Sequence, residues 1–192
     1  MKILLISGDS GTGKSTIQDF LAKNRSLYNP VMSYTDRPMR EDSEYGHIFI
    51  SEEQMNTILQ NENVVAETYI AGHRYCTVES QFDVHKVNIY IVDANGIYDT
   101  REFFRDAETL SVLLHRDDVD IDNERYIRNI ELPTEPNVDF HIYNNEDIYS
   151  ATKKVDLVSR LFFFKGDTKN IEELILNCLL IKDILKESDA NV

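Results

Sequence analysis

The sequence predicts an α/β fold: a central parallel sheet of about five strands with helices on both faces, in three α/β/α layers. Short, continuously apolar segments alternate with amphipathic ones along the chain. Strands buried on both faces read as uninterrupted apolar runs, and their alternation with helices implies right-handed crossovers in a parallel sheet. The 192 residues carry no repeat, no low-complexity run and no obvious linker, which predicts a single domain over 1–192.

The elements follow in order. KILLIS (2–7) is the first buried strand. Residues 14–25 form a helix with Ile17, Phe20 and Leu21 on one face. Residues 51–61 form another. Ser51 and Gln54 stand there in capping-box spacing, ahead of Met55, Ile58 and Leu59. Strand-like pieces at 47–50, 64–70 and 73–77 flank that helix. NIYIVD (88–93) and TLSVLLH (109–115) are further buried strands, joined through a helix at 97–107. DFHIYN (139–144) is the next strand, followed by a helix near 146–164. Residues 170–186 have helical apolar spacing and predict a C-terminal helical extension within 165–192. Two stretches break the alternation: 34–86 is too long for a crossover, and 116–137 is polar and charged. Both are expected to be functional inserts on a core of 1–33, 87–115 and 138–164.

The bulk numbers exclude several classes. Thirty-four acids against 20 bases give a formal net charge of −14, which speaks against nucleic-acid and membrane partners. Cys76 and Cys178 make neither a disulfide framework nor a metal spacing, and are expected to be small buried fillers in a reducing, cytoplasmic setting. The apolar run after Met1-Lys2 is too short for a signal peptide or a membrane span. Any anionic ligand must therefore be held by a local positive site.

Such a site stands at Gly8, Asp9, Ser10, Gly11, Thr12, Gly13, Lys14, Ser15 and Thr16, where GDSGTGKS fits G-x-x-x-x-G-K-[ST]. The glycines let backbone N–H groups close around phosphate oxygens. The helix that follows aims its positive end at the same anion. In this phosphate-loop (P-loop) pattern the lysine bridges the β- and γ-phosphates and the serine ligates Mg²⁺, so ATP and Mg²⁺ are the expected ligands of Lys14 and Ser15. No guanine-reading N-K-x-D follows, which removes the GTPase reading.

A second basic group lies in SYTDRPMR (33–40), where Arg37 and Arg40 stand among hydroxyl side chains. A guanidinium fork suits phosphate because it makes two parallel charge-assisted bonds. His141 is expected to be a core or strand-edge histidine, and the acidic run at 117–124 a solvated face.

The order of these features resembles the guanylate kinase family of nucleoside monophosphate kinases, over most of residues 2–160. The likeness is carried by the phosphate loop and by S-x-T-x-R-x-x-R as Ser33, Thr35, Arg37 and Arg40. It continues through GHIFIS (46–51), AGHRYCT (71–77) and VDANG (92–96). The resemblance implies a P-loop kinase fold with a nucleoside-monophosphate-binding insert at 34–86 and a short lid at 116–137. It implies transfer of the γ-phosphate of ATP to GMP, dGMP or a related monophosphate, with Mg²⁺. Small-molecule nucleotides are then the partners, and the chain a monomer or homodimer. Ser33, Arg37, Arg40 and Tyr75 would bind the acceptor phosphate, with Thr77 and Asp93 at its base. Arg116, Arg125 and Arg128 would be lid arginines. Asp93 would also approach Mg²⁺ through water.

Three positions depart from the family pattern. His47 stands for a phosphate-contacting tyrosine, and Ile91 for the first aspartate of D-x-D-x-x-G. The resemblance implies that an acidic residue near Glu67 would read the guanine N1–H and N2–H₂ edge, while the family's glutamate aligns without gaps on Ala66, one residue before Glu67. Two alternatives stay open: a kinase for a non-guanine monophosphate, and an inactive binding module that recognises a phosphorylated partner.

Overall fold

A computed structural model describes residues 1–40, 42, 44–117 and 137–164. The expected C-terminal extension, with Cys178, and most of the 116–137 insert lie outside these residues.

Among the described residues, nine strands and four α-helices follow in chain order. They are β1 (Lys2–Ser7), α1 (Lys14–Asn24), β2 (Tyr28–Val31), β3 (Ser33–Thr35), β4 (His47–Phe49), α2 (Glu52–Asn61), β5 (Val64–Ile70), β6 (His73–Val78), β7 (Val87–Ile91), α3 (Ala94–Phe103), β8 (Glu108–His115), β9 (Phe140–Tyr143) and α4 (Ile148–Phe164). Five strands form the central sheet in the order β2-β7-β1-β8-β9. Every pairing in it is parallel. The remaining four form a second sheet, β4-β3-β6-β5.

β1 lies at the centre, and its apolar run is buried on both sides. Leu4 and Ile6 pack with Ile17 and Leu21 of α1 and Val155 and Val158 of α4. Ile3 and Leu5 face the other way, toward Val31, Tyr90 and Ile97 of α3. This is the expected three-layer arrangement. Each such buried aliphatic side chain contributes roughly 1.5–3 kcal/mol.

Two details differ from expectation. The apolar pattern does not single out β2, because its sequence is YNPV. Proline is tolerated there because β2 is an edge strand and Pro30 owes the sheet no N–H. On α1 the face toward the sheet is Ile17, Gln18 and Leu21, while Phe20 is 41% exposed. Phe20 sits at the rim of the stripe, edge-on to Tyr149 of α4. Gln18 instead reaches into the sheet, donating from Nε2 to the carbonyls of Val31 (3.0 Å) and Ile89 (2.8 Å).

The second sheet holds the site's other half. Its helix α2 begins with the expected capping box: Ser51 and Gln54 each bond the other's backbone N–H. β5 and β6 form a hairpin whose two turn residues, Ala71 (φ 51°) and Gly72 (φ 82°), both have positive φ. That is the two-residue turn whose twist matches paired strands. The turn sets Thr68 opposite Tyr75 and Glu67 opposite Cys76. A bulge between Val64 and Ala66 takes up one extra residue of β5.

Candidate functional site

β1 runs into the glycine loop, and the loop into α1. Gly8 (φ 137°), Gly11 (φ 93°) and Gly13 (φ 99°) all adopt backbone conformations that side chains disfavour. Space also demands glycine at two of them. A Cβ on Gly8 would lie 2.3 Å from the Leu114 carbonyl oxygen. One on Gly13 would lie 2.7 Å from Ile148 Cδ1 and 2.8 Å from Asn144 Nδ2. Asn144, at the end of β9, donates from Nδ2 to the Thr12 carbonyl at 2.9 Å, a buried bond that pins the loop. The sequence pattern did not mark Asn144, because its partner is a backbone atom 132 residues away. Lys14 folds back over the loop, its Nζ 2.6 Å from the carbonyls of both Gly8 and Asp9. No acidic residue occupies the first turn of α1, so the positive end of the helix dipole is not offset there.

The loop opens on a cleft of about 600 Å³ whose opposite wall is the second sheet. The expected acceptor residues meet on one face of that sheet. Ser33 pairs with His47, Thr35 with Phe49 and with Tyr75, and Ala66 with Thr77. Side chains of directly paired residues share a face, and alternate residues along a strand return to it. Ser33, Thr35, His47, Tyr75 and Thr77 therefore stand together, joined by Ala66 and Thr68. Glu67 pairs with Cys76 on the reverse side and is exposed. The structure does not bring Glu67 into the cleft; Ala66, buried to 6% exposure, takes the place at the wall.

Arg37 is buried, with only 6% of its surface exposed. Its Nε donates to the Tyr75 hydroxyl at 3.1 Å, and its Nη1 to the Pro38 carbonyl at 2.9 Å. Nη1 and Nη2 also grip both oxygens of Glu44, at 3.2 and 2.6 Å. The guanidinium lies 5.2 Å from the centre of the Phe49 ring. Thr35 is fully buried and accepts from the Arg37 N–H at 3.2 Å, so it shapes the turn. Glu44 further accepts from the Arg40 backbone N–H at 2.9 Å. Burial alone would push the Glu44 carboxyl up. The bonds from Arg37 and Arg40 outweigh that and hold it below the usual carboxylate range. Arg40, Glu44 and His47 line the cleft. His47 sits edge-on to Tyr75, ring centres 5.3 Å apart. Glu44, which the motif spacing skipped, is the organiser of this corner.

At the other end of the cleft, Asp93 caps α3. Its Oδ1 accepts from the Gly96 N–H at 2.7 Å, and its Oδ2 from the Thr68 hydroxyl at 2.9 Å. Thr77 donates to Ser33 at 3.3 Å, and both hydroxyls meet the buried Tyr90 hydroxyl, whose pKa burial pushes up to about 12. Arg116 is exposed at the cleft's edge, just after β8. Arg125 and Arg128 fall outside the described residues. His141 lies on the edge strand β9, its Nδ1 2.9 Å from His115 Nε2, as a strand-edge histidine should. Among the described residues no cluster of three or more His, Cys, Asp or Glu is placed to hold a metal. Ser15 stands at the first turn of α1, and Gly46 (φ 108°) rests on it: a Cβ there would lie 3.1 Å from Ser15 Oγ. The loop before β4 thus packs closely on the first turn of α1.

The family model described as guanylate kinase matches residues 1–102. The chain belongs to the guanylate kinase family. Among its relatives, the guanylate kinase of Helicobacter hepaticus is 33% identical over 65% of each chain. That of Mesomycoplasma hyopneumoniae is 25% identical over 96% of each. That of a Polaromonas species is 26% identical over 58% of this chain. The matches reach 57% of the Polaromonas protein's length and 65% of the Helicobacter protein's. The crystal structure of guanylate kinase from Anaplasma phagocytophilum shares the fold, with a TM-score of 0.62 at 18% identity, covering 91% of this chain and 93% of that one. The family match spans both the glycine loop and the whole second sheet. Among the described residues, no helix is long and apolar enough to cross a membrane.

Proposed function

We propose that this chain is an ATP-dependent nucleoside monophosphate kinase, moving the γ-phosphate of ATP to GMP, dGMP or a related monophosphate with Mg²⁺. The observation that carries this reading is that the glycine loop, hydroxyl side chains of the second sheet and Arg40 line one cleft. A donor phosphate site and an acceptor phosphate site there face each other.

Phosphoryl transfer asks mainly for alignment and charge neutralisation. An oxygen of the acceptor phosphate attacks the γ-phosphorus, and the bond from that phosphorus to the β,γ-bridging oxygen breaks. ADP and a nucleoside diphosphate leave. No strongly shifted base is needed, since the acceptor is already an anion. The obstacle is repulsion between two anions in a chain of net charge −14. The loop N–H groups, Lys14 and the α1 dipole offset the donor's charge. Arg40, with Arg37 and Tyr75 behind it, serves the acceptor's. Lys14 must exchange its two carbonyl partners for phosphate oxygens. Each well-placed donor is worth roughly 3 kcal/mol in the transition state.

Ser15 fits the metal. Mg²⁺ keeps several waters and takes one or two protein oxygens beside the phosphates, and Ser15 offers a hydroxyl beneath the loop. When bound, Mg²⁺ draws charge off the transferring phosphate. Asp93 fits less well even through water, because it already caps α3 and accepts from Thr68. ATP and Mg²⁺ are both supplied by a cytoplasmic setting.

The test is a coupled ADP-release assay with Mg²⁺·ATP and each of GMP, dGMP, AMP, CMP, UMP and dTMP. Turnover with at least one acceptor, abolished by Lys14→Ala, is expected. Absence of turnover with all six would sink the kinase reading and leave the phospho-partner binding module.

A further inference from the structure

The loop before β4 carries a residue that the motif spacing did not mark. Tyr45 is half-buried and lines the same cleft as Arg40, Glu44 and His47. Both of its chain neighbours are held in place. Glu44 is gripped by the Arg37 guanidinium and accepts from the Arg40 N–H at 2.9 Å. Gly46 (φ 108°) rests on the first turn of α1, where a Cβ would lie 3.1 Å from Ser15 Oγ. His47 then enters the second sheet opposite Ser33. The backbone that carries Tyr45 is thus fixed at the seam between the Arg40 corner and the helix that follows the glycine loop. The Tyr45 hydroxyl makes no hydrogen bond to another described residue. Burial, and then the Asp19 carboxylate on α1, push its pKa above the usual tyrosine value. The group therefore stays an uncharged O–H donor across the neutral range.

We propose that Tyr45 is a further binding residue of this cleft, whose hydroxyl donates a hydrogen bond to the acceptor's phosphate beside Arg40. The identity of the ligand rests on the phosphotransfer reading. Residues 40, 44, 45 and 47 reach the cleft from one short stretch of chain, so a phosphate held at Arg40 has Tyr45 in the same corner. Polar groups drawn out of water are nearly always bonded, and a phosphate oxygen supplies the partner that this hydroxyl lacks in the chain. An O–H aimed at an anionic oxygen makes a charge-assisted bond, roughly twice as strong as a neutral one. It does so without placing a second charge beside Arg40 and its counter-ion, so no further charge is desolvated. In a chain of net charge −14 an ionised phenol would repel the acceptor, and the raised pKa prevents that. The position also serves alignment. Because Gly46 packs on Ser15, an acceptor phosphate bonded to Tyr45 is registered against the donor helix.

The experiment separates a phosphate contact from a packing one. Calorimetry measures binding of GMP, AMP, CMP, UMP and dTMP to the unaltered chain. The tightest of them and its phosphate-free nucleoside are then measured on Tyr45→Phe, which keeps the ring and removes the hydroxyl. The monophosphate should bind about 10- to 100-fold more weakly, the worth of a hydrogen bond to a charged group, and the nucleoside as before. In the coupled assay KM for the acceptor should rise by a similar factor, with KM for Mg²⁺·ATP unmoved. The melting transition should stay that of the parent, since the lost hydroxyl bonds no described residue. Unchanged affinity for the monophosphate overturns the proposal. So does an equal loss for the nucleoside, which would make Tyr45 a packing residue, and so does a KM change confined to Mg²⁺·ATP. Failure of all five monophosphates to bind the unaltered chain overturns it as well. Binding without turnover, with the Tyr45→Phe loss intact, would overturn the kinase reading alone and leave the phosphate contact standing, so the two failures separate.

Discussion

Arg37 and Glu44 form a two-point ion pair, Nη2 to Oε1 at 2.6 Å and Nη1 to Oε2 at 3.2 Å, in which the arginine is almost wholly buried. Four of the guanidinium's five N–H groups go to Glu44, Pro38 and Tyr75. Arg37 is thus a fixed support, tying the loop after β3 to β6, while Arg40 is set at the cleft by the same carboxylate. Glu44→Gln leaves a buried charge without its counter-ion. Losing one partner of such a pair costs about 3 kcal/mol, and urea unfolding at pH 7 should show a loss of that order. Arg37→Ala should raise KM for the acceptor and leave KM for ATP nearly unchanged; unchanged acceptor constants would exclude Arg37 from the acceptor site.

The same pair gives a pH dependence of stability with a definite sign. The folded-state pKa of Glu44 is below its ordinary value of 4.5, so its contribution is fully present above that value and fades as pH falls through the folded one. Asp36 behaves likewise: burial opposes it, but bonds from Arg74 hold it down from 3.8. Urea midpoints should therefore fall steadily below about pH 4.5, and Glu44→Gln should flatten that decline.

Asn144→Ala removes the side chain that pins Thr12 and leaves a buried carbonyl with no donor from β9. A cost of about 1–3 kcal/mol in unfolding free energy is expected, since a buried acceptor loses its partner. KM for Mg²⁺·ATP should rise with KM for the acceptor unchanged. A rise in the acceptor constant alone would contradict the pinning role.

Gly46→Ala meets two obstacles: a φ of 108°, which strains any side chain, and a Cβ 3.1 Å from Ser15 Oγ. The backbone strain alone is of order 1–3 kcal/mol. Because Ser15 belongs to the donor helix, this change in the acceptor-side loop should also weaken use of Mg²⁺·ATP. A Mg²⁺ titration of the initial rate checks it.

Cys76 is buried, with its Sγ 3.5 Å from Met55 Sδ, and burial raises its pKa to about 11. It should resist thiol reagents at pH 8 until the chain unfolds, so labelling of Cys76 should track the urea transition.

Much of this molecule was legible before its structure. The apolar runs marked four of the five central strands, and the Ser51–Gln54 spacing placed the start of α2. The glycine pattern located the loop because its demands are local: φ values and the first turn of a helix. What escaped notice depends on distant partners. Asn144 acts on a carbonyl in another element, Gln18 on the carbonyls of two strands, and Glu44 on an arginine seven residues back. Phe20 fitted the helical stripe but sits at its rim, because helix α4 ends coverage there. Glu67 fitted a motif by type but not by strand phase, and in a pleated strand phase decides which side a carboxylate serves.

The bulge in β5 gives that last point a longer reach. β5 carries one residue more than its partner needs, stored between Val64 and Ala66, while the hairpin closes over two residues. Moving that spare residue to the tip, as a three-residue loop, would slide β5 by one step and set Glu67 opposite Tyr75. The Glu67 carboxylate would then share the face of Tyr75 with no change in chain length. Which side chains β5 turns toward the cleft is thus decided by where one spare residue is stored, at the start of the strand or at its tip.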